Sequence, residues 1–315
     1  MKTMLILWRG WSPRAASGLL AMAIACGALS GCGSGGSQSA GGGGKPVVVV
    51  AENFWGSIAR QIGGNRVTTV SIITKPDTDP HAYEPVPQDA RTVAQARYVI
   101  QNGAGYDAWM PKLLAANPSS ARRELNIAEL AGRKDGDNPH MWYSPTIVGR
   151  VVDRITSDLQ QIDANDATYF ATHAAAFKTT ALQHYNALRS DIRTRYTGVP
   201  VGATESIFVD LAADLGLDLV TPTGYMKAIS EGADPVAGDK AVFDGQISNK
   251  AIKVLVFNKQ NSTPDVQALV DKANRSGIPI VPITETPDTA GASFQDWQAG
   301  QLAALQGALA RPSGP

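Results

Sequence analysis

The sequence is poor in cysteine, in excess charge and in long apolar runs. Of its 315 residues only Cys26 and Cys32 are cysteine, so disulfides and thiolate metal sites are excluded from everything that follows them. The chain has 28 basic and 28 acidic side chains, which argues against a basic nucleic-acid-binding patch. After the amino-terminal segment, no apolar stretch is long enough to cross a bilayer.

The first 31 residues have the pattern of a secretory signal. They carry Lys2, Arg9 and Arg14 but no acid, followed by a short apolar run. The run ends in Leu29-Ser30-Gly31-Cys32, which is typical of a lipobox and predicts that Cys32 becomes the lipidated first residue. The alternative is an ordinary cleaved signal with a chance cysteine. The Gly- and Ser-rich residues 33–44 would form a flexible tether with a reach of about 20 Å, and without the leader the chain has a net charge of −3.

Beyond residue 44 the hydrophobic pattern alternates between strand and helix. Strands are predicted at 45–52, 66–73 and 97–103, and again at 200–204, 251–258 and 278–284. Helices are predicted between and after them, at 53–64, 86–96, 107–116, 206–217, 234–250, 262–277 and 293–310. This order predicts an α/β fold of two Rossmann-like lobes, each a mostly parallel sheet flanked by helices.

A helical stripe separates the two halves. Its apolar positions are Phe170, Ala174, Phe177, Ala181, Tyr185, Leu188 and Ile192. Their spacing predicts one long rigid helix, from about Asp166 to Tyr196 and about 45 Å long, that joins the lobes. Two shorter helices with a break near Thr179-Thr180 are the alternative. The predicted domains are a signal peptide (1–31), a lipidated tether (32–44), an amino-terminal lobe (45–163), the linking helix (164–198) and a carboxy-terminal lobe (199–315).

Two of the four histidines occur in similar phrases. His81 lies in "TDPHAYEP" and His140 in "DNPHMWYSP". In both, prolines restrict the backbone around the histidine, and this pre-positioning would favour a metal ligand. His173 and His184 lie on the predicted long helix with no third ligand near them in sequence, and are interpreted as surface or half-buried residues.

With no thiol available, further ligands would have to be carboxylates. Glu205 and Glu285 each follow a predicted strand of the second half, where ligand sites of α/β proteins form. Each also has an ordinary explanation. Glu205 could favour a helix amino terminus through the helix dipole, and Glu285 could be a surface carboxylate. The residues alone leave both interpretations open.

These motifs resemble those of the zinc/manganese substrate-binding lipoproteins of ABC importers. "DPHAYEPVPQD", "NPHMWYSP", "GATESIF" and "PITET" before "SFQDWQAGQL" are similar to the four ligand motifs of that family, and the similarity runs from about Val47 to Leu309. The resemblance implies two α/β lobes joined by one long helix. It also implies that His81, His140, Glu205 and Glu285 are the metal ligands, two from each lobe.

The resemblance has two departures that bear on the metal. Zinc-importing members often have histidine where this chain has Glu205, together with a His-rich loop before the second motif, which residues 126–137 lack. The fourth ligand is usually aspartate, so Asp288 could substitute for Glu285. A site with two carboxylates suits manganese or zinc, with iron possible. Binding is expected to weaken as pH falls through the histidine range near about 6.5.

The resemblance implies a receptor rather than an enzyme. It would be a monomer held by lipid at the outer face of the cell membrane, where it passes a divalent metal to an ABC permease and its ATPase. The chain has no GxxxxGK[ST] motif of its own. A metallohydrolase is an alternative, although HExxH and GxSxG are absent. A binding protein or adhesin for a non-metal ligand is another, in which Trp55, Trp109, Trp142 and Trp297 would line a cleft instead of packing in the core.

Overall fold

The computed structural model describes residues 44–76, 78–289 and 291–311. The predicted signal peptide, the lipidated Cys32 and almost all of the tether lie outside these residues. From Gly44 onward the chain forms one compact unit. Among the described residues, none of the helices combines the length and the apolar character that crossing a membrane requires.

Two four-stranded parallel sheets form the framework. The first has the order β2-β1-β3-β4 and the second β6-β5-β7-β8. Their strands are β1 (Val47–Glu52), β2 (Thr68–Ile73), β3 (Tyr98–Gln101) and β4 (Arg123–Asn126), then β5 (Pro200–Ala203), β6 (Asp218–Leu219), β7 (Leu255–Asn258) and β8 (Ile280–Ile283). The register pairs Val49 with Val70 and with Val99 in the first sheet, and Val256 with Val281 in the second. The predicted α/β architecture of two parallel-sheet lobes is confirmed.

Helices connect and cover these strands. They are α1 (Asn53–Gly63), α2 (Pro87–Gln95), α3 (Trp109–Ala116), α4 (Ile127–Ala131), α5 (Pro145–Ile162), α6 (Ala167–Ala176), α7 (Gln183–Tyr196), α8 (Val209–Leu215), α9 (Thr223–Ser230), α10 (Ala237–Ser248), α11 (Pro264–Arg275) and α12 (Phe294–Leu309). Several of these helices begin at a residue whose side chain caps the first turn. Thr263 and Ser293 accept the backbone N–H groups of Val266 and Asp296, and so cap α11 and α12.

The central helical stripe is not a single regular α-helix. Between α6 and α7 the chain makes a π-helical turn, Phe177–Ala181, in which the N–H of Leu182 bonds to the carbonyl of Phe177 at 3.0 Å. Phe177 and Tyr185 are eight residues apart, more than the 7.2 residues of two α-turns. The wider turn absorbs the difference, and both side chains are buried. The irregularity lies at the Thr179-Thr180 position of the alternative prediction, but helical structure continues on both sides.

One hydrophobic core extends through both sheets. Phe54 and Trp142, from the first half, pack against each other with ring centroids 4.3 Å apart, and Phe54 also contacts Trp297 of α12 at 6.2 Å. All four tryptophans considered as cleft residues are at most 7% exposed, which confirms their assignment to the core. α6 packs on α1 and α5, whereas α7 packs on α8 and α12, so the central helical segment contacts both halves.

The sequence pattern missed several elements. These are β4, β6, α4, α5 and α9. β4 and β6 are edge strands and are short and polar, with sequences RELN and DL. Half-exposed strands of this kind lack the apolar run that reveals a buried strand.

Candidate metal centre

Three of the four predicted ligands converge. His140, Glu205 and Glu285 each offer one ligand atom, and these atoms all lie within 4.8 Å of one another. No other group of three or more such side chains meets this spacing in the part of the chain that the structure describes. Glu205 follows β5 and Glu285 follows β8, at the carboxyl ends of the second sheet's strands. This is the edge at which open α/β sheets bind ligands.

The cluster borders a cleft of about 990 Å³, whose lining includes Pro139 and Ser206, the chain neighbours of His140 and Glu205. Glu285 lines the cleft, whereas His140 and Glu205 are only 2% and 1% exposed. Such buried polar side chains need partners in a low-dielectric environment. One imidazole and two carboxylates in this arrangement could hold a divalent cation and neutralise its charge.

His81 does not join this cluster. It is exposed and lies at the edge of the same cleft, where its ring meets the ring of Tyr106 edge-on at a centroid distance of 4.8 Å. The carboxylate of Asp79 accepts the backbone N–H of His81 at 2.9 Å, so the acid before the Pro-His pair shapes the turn. The structure therefore brings together three of the predicted ligands and leaves the fourth on the adjoining loop.

Asn138 orients the imidazole of His140. Its side-chain oxygen lies 2.7 Å from Nδ1 of His140 and also accepts the backbone N–H of that residue at 3.2 Å. The amide group of Asn138 donates to the carbonyl of Ser206 at 2.9 Å, which fixes the orientation of the amide. With the proton on Nδ1, the lone pair of Nε2 is free to bind a metal.

Asparagine and tyrosine donors hold both carboxylates. Asn258 Nδ2 donates to Oε1 of Glu205 at 2.6 Å and to Oε1 of Glu285 at 2.7 Å. Asn261 donates to Oε2 of Glu205 at 2.7 Å, and the hydroxyl of Tyr106 donates to Oε2 of Glu285 at 2.9 Å. All four carboxylate oxygens thus accept a hydrogen bond, so the acidic pair is positioned by neutral donors.

Burial sets the charge state of the cluster. Desolvation, followed by the charges of His81 and Arg133, lowers the pKa of His140 to about 3. Desolvation and the neighbouring Glu285 raise the pKa of Glu205 to about 8, against the lowering effect of its asparagine donors. Burial also raises the pKa of Glu285, although the Tyr106 hydrogen bond opposes the rise. His140 is therefore neutral at physiological pH, and Glu205 carries a proton in the metal-free protein below about pH 8.

Tyr106 contacts predicted ligands of both halves. It follows a tight turn in which Gly103, Ala104 and Gly105 have φ of 77°, 54° and 80°, a left-handed conformation that an alanine rarely adopts. The Asp107 carboxylate accepts the backbone N–H groups of Asn102 and Gly103 at 2.7 and 2.8 Å, which holds the turn. The turn thereby places the Tyr106 hydroxyl on Glu285, and the Tyr106 ring contacts the rings of His81 and His140.

Asp288 lies apart from the cluster. Its carboxylate pairs with Lys259 at 2.5 Å, and both side chains are about half exposed. The hydrogen bond from Lys259 lowers the pKa of Asp288. Glu285 and Asp288 were both considered as the ligand in the last of the four motifs. Of these two acids, the structure places Glu285 beside His140 and Glu205.

The sequence pattern did not single out the residues that surround the ligands. Each of four residues shares a hydrogen bond with the side chain of a predicted ligand: Asn138, Asn258, Asn261 and Tyr106. A weak signal existed for two of them, since Asn138 is part of the second Pro-His phrase and Asn258 ends a predicted strand. Asn261 and Tyr106 lie in loops, and only the tertiary fold brings them to the site.

Comparison with known families identifies the chain's relatives. Residues 48–308 match the family described as zinc-uptake complex component A, periplasmic. The manganese-binding lipoprotein MntA of Halalkalibacterium halodurans is 27% identical over 179 residues, 54% of this chain and 56% of that protein. The iron-binding protein YfeA of Yersinia pestis is 28% identical over 170 residues, 50% and 53% of the two chains. These alignments span about half the length of the relatives.

Solved structures share the fold. A Mn-bound periplasmic metal binding protein from candidatus Liberibacter asiaticus superposes with a TM-score of 0.70 at 17% identity, covering 84% of this chain and all of that one. A crystal structure of ZnuA superposes with a TM-score of 0.64 at 21% identity, covering 84% and 98% of the two chains.

Proposed function

Because the chain belongs to the zinc-uptake complex component A family, we propose that it is an extracytoplasmic receptor for a divalent transition metal. The observation that carries the proposal is the convergence of the ligand atoms of His140, Glu205 and Glu285 within 4.8 Å of one another, beside the cleft that Glu285 lines. The metal is cargo. It is manganese, zinc or iron, and the receptor passes it to an ABC permease driven by a separate ATPase.

In this proposal His81 is also a metal ligand, together with His140, Glu205 and Glu285. It shares the cleft with Glu285 and contacts Tyr106, which also contacts His140. The loop that carries His81 would move toward His140, Glu205 and Glu285 when the metal binds. The two lobes of the receptor are then residues 45–163 and 199–315, and residues 164–198 link them. The receptor is a monomer, and lipid on Cys32 holds it to the outer face of the membrane.

The proposal includes no catalytic step. A metallohydrolase needs an open metal position beside a free general base. Here both oxygens of Glu205 and of Glu285 already accept hydrogen bonds, so neither carboxylate is a free general base. Turnover of model esters or phosphates by the metal-loaded protein, abolished in Glu205→Gln, would contradict this part of the proposal.

The test is thermal unfolding of the chain from Gly44 onward, stripped with chelator and titrated with Mn²⁺, Zn²⁺ and Fe²⁺. A metal at 100 times its dissociation constant stabilises the folded state by about 2.7 kcal/mol, which for a chain of this length raises Tm by about 5–10 °C. His140→Ala should abolish the rise. The matched control is His173→Ala on α6, which removes a histidine that stacks on Tyr169 outside the cleft. No rise with any of the three metals would refute the receptor function.

A further inference from the structure

Glu52 is a buried acid that the metal centre does not use as a ligand. It is the last residue of β1 and is completely buried. Neither of its side-chain oxygens receives a hydrogen bond from another of the described residues. An ionised carboxylate without donors is very costly in a low-dielectric environment, so the side chain must be accommodated there in another way.

The position of Glu52 is at the edge of the first sheet where α/β folds place functional groups. In the strand order β2-β1-β3-β4 the chain passes from β1 to one neighbour and then to the other, so the topological switch point lies between the carboxyl ends of β1 and β3. Glu52 ends β1, and a turn of residues 102–107 follows β3. The second sheet has the corresponding order, with Glu205 after β5, so Glu52 corresponds in place to a predicted ligand.

The partner of Glu52 is the carboxyl group of Asp107. Burial, then the charge of Asp107 and a hydrogen bond with it, raises the pKa of Glu52 well above its usual range, against the lowering effect of its own backbone N–H. Burial raises the pKa of Asp107 too, but the N–H groups of Asn102 and Gly103 and the hydrogen bond with Glu52 oppose the rise. Glu52 therefore keeps the proton of the pair at physiological pH, and Asp107 is the acceptor.

The turn that Asp107 holds has a costly backbone conformation. Residues 103–105 all have positive φ, and one of them is an alanine, Ala104, with φ of 54°. Such conformations persist only where the surrounding structure enforces them. Asp107 supplies two hydrogen bonds to the backbone at the start of the turn, and Glu52 holds Asp107 from the end of β1.

The same turn carries Tyr106, whose hydroxyl donates to Glu285 at 2.9 Å. We propose that Glu52 is a positioning residue of the metal centre, whose carboxyl group donates a hydrogen bond to Asp107 and so holds the turn that presents Tyr106 to Glu285. The inference deepens the proposed function and rests on it. An apolar residue in place of Glu52 would leave the buried Asp107 carboxylate short of a hydrogen bond, and the turn could then relax and draw the Tyr106 hydroxyl away from Glu285.

Two substitutions separate the hydrogen bond from the size of the side chain. Glu52→Gln keeps a donor for Asp107, whereas Glu52→Met has a similar length and no donor. Dissociation constants for Mn²⁺ and Zn²⁺ are measured by competition with a chelator, using the chain from Gly44 onward. We expect Glu52→Met to weaken the binding of both metals by about tenfold, and Glu52→Gln to bind within about threefold of the unsubstituted chain. The matched control is Asp158→Asn, a buried acid bonded to Tyr98 at the start of β3, which should leave both affinities unchanged.

A double-mutant cycle tests whether Glu52 acts through Tyr106. Tyr106→Phe removes the hydroxyl that reaches Glu285, so in that background Glu52→Met should cause a further loss of less than about threefold. A full tenfold loss in both backgrounds overturns the inference. Equal losses in Glu52→Gln and Glu52→Met, or no loss in Glu52→Met, overturn it as well.

Infrared spectroscopy of the metal-free protein detects the proton directly. Exposed acids are ionised at about pH 7, so the spectrum of the unsubstituted chain minus that of Glu52→Gln should contain the C=O stretch of one protonated carboxylic acid. Absence of this band overturns the inference even where Glu52→Met fails to fold, and it leaves the receptor function standing. Failure of the unsubstituted chain to bind either metal overturns the receptor function, and the inference with it.

Discussion

The charge state of Glu205 leads to a quantitative prediction for metal binding. Desolvation and Glu285 raise its pKa to about 8, so a metal must displace its proton at any lower pH. Each pH unit below about 8 should then weaken the apparent affinity by about tenfold. Between pH 8 and pH 6 the loss should be about 100-fold, or about 2.7 kcal/mol. The imidazole of His140 adds nothing in this range, because burial lowers its pKa to about 3.

Isothermal titration calorimetry in buffers of different ionisation enthalpy counts the protons released. At pH 7 we expect about one proton per metal ion, and a dissociation constant that rises continuously from pH 8 downward. The sequence alone predicts instead that the metal affinity changes near the ordinary histidine pKa of about 6.5. A constant affinity between pH 8 and pH 7 with no proton released would refute the assignment of the titrating group to Glu205.

The stability of the metal-free protein should depend on pH in the opposite direction to the metal affinity, and should fall as the pH rises. A carboxyl group whose pKa is raised in the folded state stabilises the fold below its unfolded pKa, and this stabilisation is lost as pH rises to about 8. The lowered pKa of His140 has a contrary effect, but only below about 6.5, the pKa of an unfolded histidine. Between pH 6.5 and 8 the free energy of unfolding in chelator should therefore fall by at least about 1.4 kcal/mol per pH unit. A flat profile measured by urea denaturation would contradict this expectation.

Three further predictions concern individual side chains. Glu285→Gln should reduce the affinity for Mn²⁺ by at least about 100-fold, because it removes the negative charge of a proposed ligand. Asp288→Asn should leave the affinity within about threefold. Equal losses of affinity in the two variants, measured by equilibrium dialysis, would contradict the assignment of Glu285 as the ligand. Asn138→Ala should weaken metal binding by about 10–100-fold through the loss of the His140 orientation, and an affinity within twofold of the unsubstituted chain would exclude that role. Trp297→Ala should destabilise the protein by about 3–5 kcal/mol in one cooperative transition, because the core extends through both sheets. Two separate transitions in the calorimetric scan would show that the halves unfold independently.

The architecture was largely predictable because its signal is local. A buried parallel strand such as β1 is a run of β-branched residues, and an amphipathic helix such as α11 repeats its apolar positions every three or four residues. The edge strands β4 and β6 were not predicted, and the π-helical turn at Phe177–Ala181 lies where only the alternative of two shorter helices placed a break. Edge strands need no apolar run, and the π-turn results from packing Phe177 and Tyr185 on the same core, which is a tertiary requirement.

Composition and motifs were enough to limit the residues that are candidates for binding a metal. With no thiol after Cys32, the candidates were the two Pro-His phrases and the acids that follow strands, and those phrases could be recognised without coordinates. How these candidates meet depends on the fold, which brings distant parts of the chain together. It placed Glu285 rather than Asp288 beside His140 and Glu205, and left His81 on the cleft edge. Asparagine and tyrosine donors from other parts of the chain surround the carboxylates, because burying two acidic groups in one place requires hydrogen-bond partners. Those partners are supplied by the fold and have no fixed spacing along the chain.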